Sequence, residues 1–172
     1  DASPVLRFAT RSGELSVRRE GDSLAMDFPA KRPEPCATPD GLLEALGIAE
    51  AEVLKTDDYL VVVDDEKTIA ALAPDFARLK GLPCRGVAVT ARSQRFDFVS
   101  RWFGPNVGVN EDPVTGSAHT SLAPYWAQRL GKTRLSAEQG GARKGRLECD
   151  VRGERVVISG KAALYMSGTL HL

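Results

Sequence analysis

The sequence is poor in aromatic residues and carries no excess charge. Aromatic residues make up 6% of the 172 residues, so a hydrophobic core has to be built mostly from aliphatic side chains. Lysine and arginine together number 23, as do aspartate and glutamate, so the formal net charge is zero. We therefore expect no nucleic-acid partner bound through bulk positive charge and no polybasic attachment to a membrane surface.

Histidine and cysteine are also scarce. The two histidines, His119 and His171, cannot form a metal cluster unless folding brings several carboxylates to them. The three cysteines, Cys36, Cys84 and Cys149, lie far apart and include no Cys-x-x-Cys pair. An odd number of isolated cysteines predicts neither a disulfide framework nor a zinc site. We expect no metal.

Long hydrophobic runs are missing as well. No segment approaches the length of about 18 apolar residues that a membrane-spanning helix requires, and no signal-peptide pattern is present. We therefore expect no membrane partner and a cytoplasmic location. The first residue is Asp1 and not methionine, so we expect a chain that starts after a cleavage or that covers part of a gene product.

The hydrophobic fraction of 42% supports a true core, and short alternating segments dominate the pattern. Turn residues separate alternating runs, which is typical of β-strands. Four prolines between Pro29 and Pro39 predict an irregular linker there. The expected strands are 5–10, 14–18, 24–28, 51–56, 59–64, 85–91, 96–103, 133–139, 146–152, 155–159 and 161–172, and the expected short helices are 41–46, 67–72 and 74–79.

One longer helix is expected from Gly116 to Leu130, with Gly131 in the position of a C-terminal cap. Ala118, Leu122, Trp126 and Leu130 recur every four residues along one face, and other sides of this helix are apolar too. A helix that is apolar most of the way round is buried on most sides. The sequence therefore predicts an α+β fold in which strands wrap around a central helix.

The segment that leads into this helix, 111–119, has the pattern of an anion site. Pro113 keeps Asp112 out of helical geometry, and Thr115 is a good N-terminal cap. The unpaired N–H groups of a first helical turn favour an anion, so a fixed carboxylate at Asp112 would suit proton transfer on a carboxylate-bearing substrate. The same residues also fit a simple helix cap, in which Asp112 and Thr115 only stiffen the helix start.

The same segment and its neighbours resemble the PhzF-like family, the phenazine-biosynthesis isomerases and their relatives. The similar sequences are FVSRWFGP at 98–105, EDPVTGSAH at 111–119 and LAPYW at 122–126, together with FATRSGEL at 8–15 and MDFP at 26–29. The resemblance covers nearly the whole chain, and the central motif is specific.

The resemblance implies a diaminopimelate epimerase-like fold, with two similar domains and the active site between them. It implies acid/base isomerisation without metal or cofactor, and it suggests a homodimer. The aspartate of the EDPVTGSAH-type motif lines the active site in the family, which implies a catalytic role for Asp112. Gly116 and Ser117 match the positions that bind the substrate carboxylate.

The sequence departs from the family in one important respect. Members carry their main proton-transfer glutamate in an ENNLSET-like motif and a histidine in a CGHAT-like motif, and neither motif occurs here. Glu111 belongs to a different motif and is not the counterpart of that glutamate. We therefore expect residues 1–32 to be the last strands of an incomplete N-terminal domain and 36–172 to be the C-terminal domain. The missing N-terminal segment would then be lost, bound as another chain, or never encoded.

Two other functions stay open at this point. A cysteine-based racemase or epimerase of the same fold would need a thiol just before the central helix, where this chain has Asp112. A non-catalytic binding module is favoured if these residues are the whole gene product. For His119 we favour a buried histidine bonded to a backbone group over a catalytic one, and for Arg143 a surface role over steering a carboxylate.

Overall fold

The computed structural model describes residues 5–10 and 13–169. The strands are β1 Val5–Thr10, β2 Gly13–Glu20, β3 Ser23–Pro29, β4 Glu34–Pro35, β5 Glu52–Lys55, β6 Tyr59–Val62, β7 Val87–Arg92, β8 Phe98–Gly104, β9 Val109–Asp112, β10 Arg134–Gln139, β11 Gly145–Arg152 and β12 Arg155–Lys161. The helices are α1 Leu42–Leu46, α2 Glu66–Ala71, α3 Phe76–Lys80 and α4 Gly116–Leu130, with a short 3₁₀ turn at Pro105–Val107. The expected mixture of many short strands with one long helix is confirmed.

All twelve strands belong to one mixed sheet. Its order is β1-β2-β3-β12-β11-β10-β8-β7-β6-β5-β4, and β9 adds to β8. Most neighbours are antiparallel, whereas the pairs β6–β7 and β8–β10 are parallel. The strand β3 pairs with β12 from Ser23↔Lys161 to Pro29↔Arg155, so the sheet continues across the expected domain boundary. The division into 1–32 and 36–172 stays a prediction.

Helix α4 lies at the centre of the larger core cluster, as its all-round apolar character predicts. Its residues from Ala118 to Trp126 are all buried. It packs against β10, β11 and β12, and Leu122 and Trp126 share a cluster with Phe98 of β8. The burial of apolar surface on most sides explains why a helix with Pro124 inside it is stable here.

A second core cluster lies on the other face of the strands β6 to β8. Alternate residues of β8 point to opposite faces, so Phe98 and Trp102 belong to the α4 cluster while Phe103 belongs to the second one. The short helices α1, α2 and α3 cover this second face through Leu46, Ile69 and Leu79. The central part of the sheet is therefore sandwiched between α4 and these helices.

Two expectations about secondary structure need correction, and one strand was not expected. The strand β9 begins at Val109, where no strand was expected, and pairs with β8. The proline-rich linker contains the two-residue strand β4, which pairs with β5. The predicted last strand from Lys161 is wrong: β12 ends at Lys161, residues 162–169 have no regular structure, and 170–172 lie outside the described residues. An alternating pattern forms a strand only where a neighbouring strand pairs with it.

Candidate active site

The ends of four strands converge at the start of α4. Tyr59 of β6 pairs with Val87 of β7, which pairs in turn with Phe103 of β8. The neighbouring residue Trp102 pairs with Asp112, the last residue of β9. The register of these strands therefore places Asp112 in a row with Ala88 of β7 and Leu60 of β6, the second residue of each strand. Of the expected site residues, Asp112 is hydrogen-bonded to Thr115, and Gly116 and Ser117 follow Thr115 in the first turn of α4.

Asp112 is held by Thr115, the N-cap residue of α4. Thr115 occupies the N-terminal cap position of α4, but its side chain makes no capping hydrogen bond. Its hydroxyl instead donates to Oδ2 of Asp112 over 2.7 Å. Thr115 therefore occupies the expected cap position, but the expected capping bond is wrong, because its side chain binds the Asp112 carboxylate and not the backbone of the helix.

Gln139, at the end of β10, fixes this pair from inside the core. It has no exposed surface. Its Oε1 accepts the backbone N–H of Thr115 at 2.9 Å, and its Nε2 donates to the carbonyl of Asp112 at 2.7 Å and to Thr115 Oγ1 at 3.0 Å. An amide nitrogen can only donate. The Thr115 hydroxyl is thus an acceptor towards Gln139, and its own hydrogen lies on Asp112.

A second network, which the sequence did not reveal, reaches Ser117. The Arg85 guanidinium binds both carboxylate oxygens of Asp58, and its Nη1 donates to Ser117 Oγ at 3.1 Å. Asp58, 7% exposed, also accepts the indole N–H of Trp102 at 2.9 Å. The hydrogen bonds to Asp58 raise the pKa of the Arg85 side chain further above its usual value. Arg85 therefore presents a charged N–H donor to Ser117, while the Asp58 carboxylate balances its positive charge.

The helix start is open on the side of Gly116. A Cβ atom built on Gly116 would meet no described atom within 4 Å, and Ser117 is exposed. A groove of about 930 Å³ borders Gly116 and is lined by Met26, Val114 and Ile158 among others. A small molecule in this groove would reach the first turn of α4, where backbone N–H groups lack helical partners.

The loop between β10 and β11 packs closely against the motif at 111–119. Gly140 has φ +115°, and a Cβ atom there would lie 2.0 Å from the carbonyl oxygen of Arg143 and 3.1 Å from that of Pro113. A Cβ atom on Gly145 would lie 2.0 Å from Cγ2 of Val114. Glycine at these two positions lets the loop approach the motif closely.

Glu111 is paired with an arginine that is anchored in the core. Its two carboxylate oxygens accept Nε and Nη2 of Arg101 at 2.7 and 2.8 Å. Arg101 in turn donates through Nη1 to the carbonyls of Ile69 and Leu72, at the C-terminal end of α2. Bidentate pairs of this kind fix geometry. Glu111 thus ties β9 to β8 and α2.

His119 is a buried core residue, as favoured from the sequence. It has no exposed surface, its Nδ1 lies 2.9 Å from the carbonyl oxygen of Thr115, and its ring lies 5.9 Å from that of Phe98. Its Nε2 has no hydrogen-bond partner among the described residues. Burial lowers the pKa of His119 to about 4. Arg143 is exposed, in the loop behind the motif.

No thiol lies in the motif. Cys149 is buried in the α4 cluster, and burial raises its pKa to about 12. Burial also raises the pKa of Cys84. Thiols with raised pKa values are poor nucleophiles and bases near neutral pH. Within 5–10 and 13–169, no three histidine, cysteine or acidic side chains are grouped as a metal site, and no helix is long and apolar enough to span a membrane.

Comparison with known proteins decides the family. Residues 3–168 match the family model described as phenazine biosynthesis-like protein. The chain belongs to this PhzC-PhzF family. An uncharacterized isomerase of Pseudomonas aeruginosa is 52% identical over 168 residues, which are 97% of this chain and 64% of that protein. A phenazine biosynthesis-like domain-containing protein of Homo sapiens is 35% identical over 191 residues, which cover 96% of this chain and 65% of that protein.

Solved structures show the same relationship. A PhzF family protein of Enterococcus faecalis superposes with a TM-score of 0.91 at 42% identity, over 100% of this chain and 66% of that one. A chain described as a probable proline racemase of Agrobacterium radiobacter shares the fold at 12% identity and a TM-score of 0.56, over 98% of this chain and 60% of that one. The expected α+β, diaminopimelate epimerase-like fold is thus confirmed.

The PhzF-like chain spans 64% of the Pseudomonas relative and 66% of an uncharacterized isomerase of Halalkalibacterium halodurans. The expectation that it is the C-terminal portion of a longer protein is not confirmed by these matches.

Proposed function

We propose that this PhzF-like chain forms part of an isomerase that moves a proton on a small carboxylate-bearing substrate, by acid/base catalysis without a cofactor. The observation that carries this proposal is the Asp112 carboxylate, held by the Thr115 hydroxyl beside the open start of α4. A helix N-terminus favours an anion. A carboxylate fixed next to that anion is placed for proton transfer.

Each site residue has a distinct role in this proposal. Thr115 binds Oδ2 of Asp112, so we assign Oδ1 to the proton that moves. Gly116 and Ser117 bind the substrate carboxylate, through backbone N–H groups of the first turn and through the Ser117 hydroxyl. The substrate would lie in the groove that borders Gly116, and we propose that its reactive carbon points towards Asp112.

A second proton carrier completes the reaction. We propose that it is the glutamate that the family resemblance implies, supplied by an N-terminal segment that faces the groove, in the same protein or as another chain. An isomerisation removes a proton at one carbon and delivers one at another, and two groups on opposite sides of a substrate can divide these steps. We also propose that the protein forms a homodimer, as the family resemblance suggests.

Deuterium exchange tests the function. We would incubate the chain, with and without the N-terminal segment, with a panel of small carboxylated dienes in D₂O and follow incorporation by NMR. We expect exchange into at least one diene when the segment is present, and a loss of about a hundredfold or more in Asp112→Asn, because general acid/base groups typically contribute at least that much.

Two controls make this result specific. Asp150→Asn removes a carboxylate on β11, away from the motif, and should leave exchange unchanged. Alkylation of the thiols should also leave it unchanged, whereas rapid inactivation would favour a cysteine-based racemase. Absence of exchange with every diene, with or without the segment, would contradict the proposal and favour a binding module.

A further inference from the structure

Arg85 is fixed on one side by a buried carboxylate and on another by an aromatic ring. Its Nε and Nη2 bind the two oxygens of Asp58, and its guanidinium carbon lies 5.3 Å from the ring centre of Trp102. Trp102 is itself bonded to Asp58. An arginine with a bidentate carboxylate and an aromatic neighbour has little freedom to change its orientation.

This fixed guanidinium determines what the Ser117 hydroxyl can do. The Nη1 group donates to Ser117 Oγ, and a guanidinium has no acceptor. The hydroxyl hydrogen of Ser117 therefore cannot point at Arg85 and has to point elsewhere. Because the side chain of Ser117 is exposed at the first turn of α4, its hydrogen is available to a ligand at the helix start.

We propose that Arg85 is a positioning residue of the carboxylate site, which acts through Ser117 by making its hydroxyl a donor to the bound carboxylate. This inference rests on the proposed function of Gly116 and Ser117. A hydrogen bond from a charged donor also polarises the hydroxyl that accepts it, and bonds in such a chain strengthen one another. Asp58 contributes by holding Arg85 in place.

A double-mutant cycle on carboxylate binding tests this role. We would use benzoate as the probe and measure its dissociation constant from the amide shifts of Gly116 and Ser117 in NMR spectra of the full chain. Ser117→Ala and Arg85→Met should each weaken binding by about tenfold, because each removes the effect of one hydrogen bond to a charged group. The double variant should bind about as weakly as Ser117→Ala, since Arg85 acts through Ser117.

Several outcomes would overturn the inference. If the double variant loses the product of the two single losses, Arg85 acts on the carboxylate independently of Ser117. If Arg85→Met binds benzoate like the unaltered chain, Arg85 has no role in the site. If benzoate shifts neither Gly116 nor Ser117 in the unaltered chain, the carboxylate site itself is absent. If deuterium exchange fails but the double-mutant cycle gives the expected result, the proposed reaction is rejected and the carboxylate site is retained.

The variants need a control for folding, because Arg85→Met leaves the buried Asp58 without its charged partner. The paired variant Asp58→Asn with Arg85→Met removes both charges. The cycle is repeated with this paired variant in place of Arg85→Met, and adding Ser117→Ala to it should again weaken binding no further than Ser117→Ala alone. Arg152→Met removes an arginine at the far end of β11 and should leave benzoate binding unchanged. Thermal unfolding of each variant separates loss of binding from loss of structure.

Discussion

The Thr115 hydroxyl donates to Oδ2 of Asp112 over 2.7 Å, so the N-cap residue of the central helix also orients the candidate catalytic carboxylate. The same hydroxyl accepts from the buried Gln139. A threonine at this position would ordinarily cap the helix. Here its hydrogen bonds connect the buried Gln139 to the half-buried carboxylate of Asp112.

Replacement of Thr115 by valine should disturb the orientation of the Asp112 carboxylate and leave the fold in place. Valine keeps the shape and removes the bond to Asp112. Since hydrogen bonds to charged groups contribute about 1.5–3 kcal/mol, we expect proton exchange to slow by about tenfold or more. Thr115→Ser retains the hydroxyl and should recover most of the rate. Equal rates in the valine and serine variants would contradict a role for this bond.

Gln139→Leu should destabilise the fold. It leaves the Thr115 N–H and the Asp112 carbonyl without the partner they have now, and a buried unpaired group costs about 1–3 kcal/mol. We expect the free energy of unfolding in urea to fall by about 3 kcal/mol. Gln128 lies exposed on α4, so Gln128→Leu should change it by less than about 0.5 kcal/mol. Similar losses in both variants would argue against the buried network.

The buried His119 should make the protein less stable in acid. Its pKa is lowered to about 4 by burial, against about 6.5 in an unfolded chain. Below pH 6.5 the unfolded state binds a proton that the folded state does not, so stability is full above about pH 6.5 and falls until about pH 4. The loss from this group is about 3 kcal/mol.

His119→Asn isolates this contribution. Asparagine can still donate to the Thr115 carbonyl but does not titrate. The difference in unfolding free energy between the two proteins should change by about 3 kcal/mol between pH 7 and pH 4, in favour of the variant. Urea denaturation at several pH values measures it. A difference independent of pH would show that His119 is protonated as easily in the folded state as in the unfolded one.

Gly140→Ala should damage both stability and the motif. The backbone at φ +115° disfavours a side chain, and the new Cβ atom would meet the carbonyl oxygen of Arg143. Gly153 also has positive φ, at +61°, but a Cβ atom there meets nothing within 4 Å. Gly153→Ala should therefore cost about 1 kcal/mol and Gly140→Ala at least about 2 kcal/mol more, from overpacking. Thermal unfolding of both variants measures the difference, and equal losses would contradict the close packing of this loop.

The sequence by itself determined the elements whose signals are local. Helix α4 runs from Gly116 to Leu130 with Gly131 as its cap, as expected, because glycines, prolines and a four-residue apolar repeat act within one or two turns. The alternating runs gave most strands to within a few residues. The family motif at 111–119 is likewise contiguous, so the position of Asp112 just before α4 and of Gly116 and Ser117 in its first turn could be predicted.

Only the tertiary structure decided the contacts between distant segments. Arg85 reaches Ser117 across 32 residues and Asp58 across 27, and both contacts follow from the order and register of β6, β7 and β8. The strand β9 and the irregular segment 162–169 were decided by whether a partner strand was present. Gln139 was expected at the end of a strand, but its hydrogen bonds to the backbone N–H and the hydroxyl of Thr115 appear only in the folded chain. Such pairings depend on which strands become neighbours, and a local pattern of residues does not contain that information.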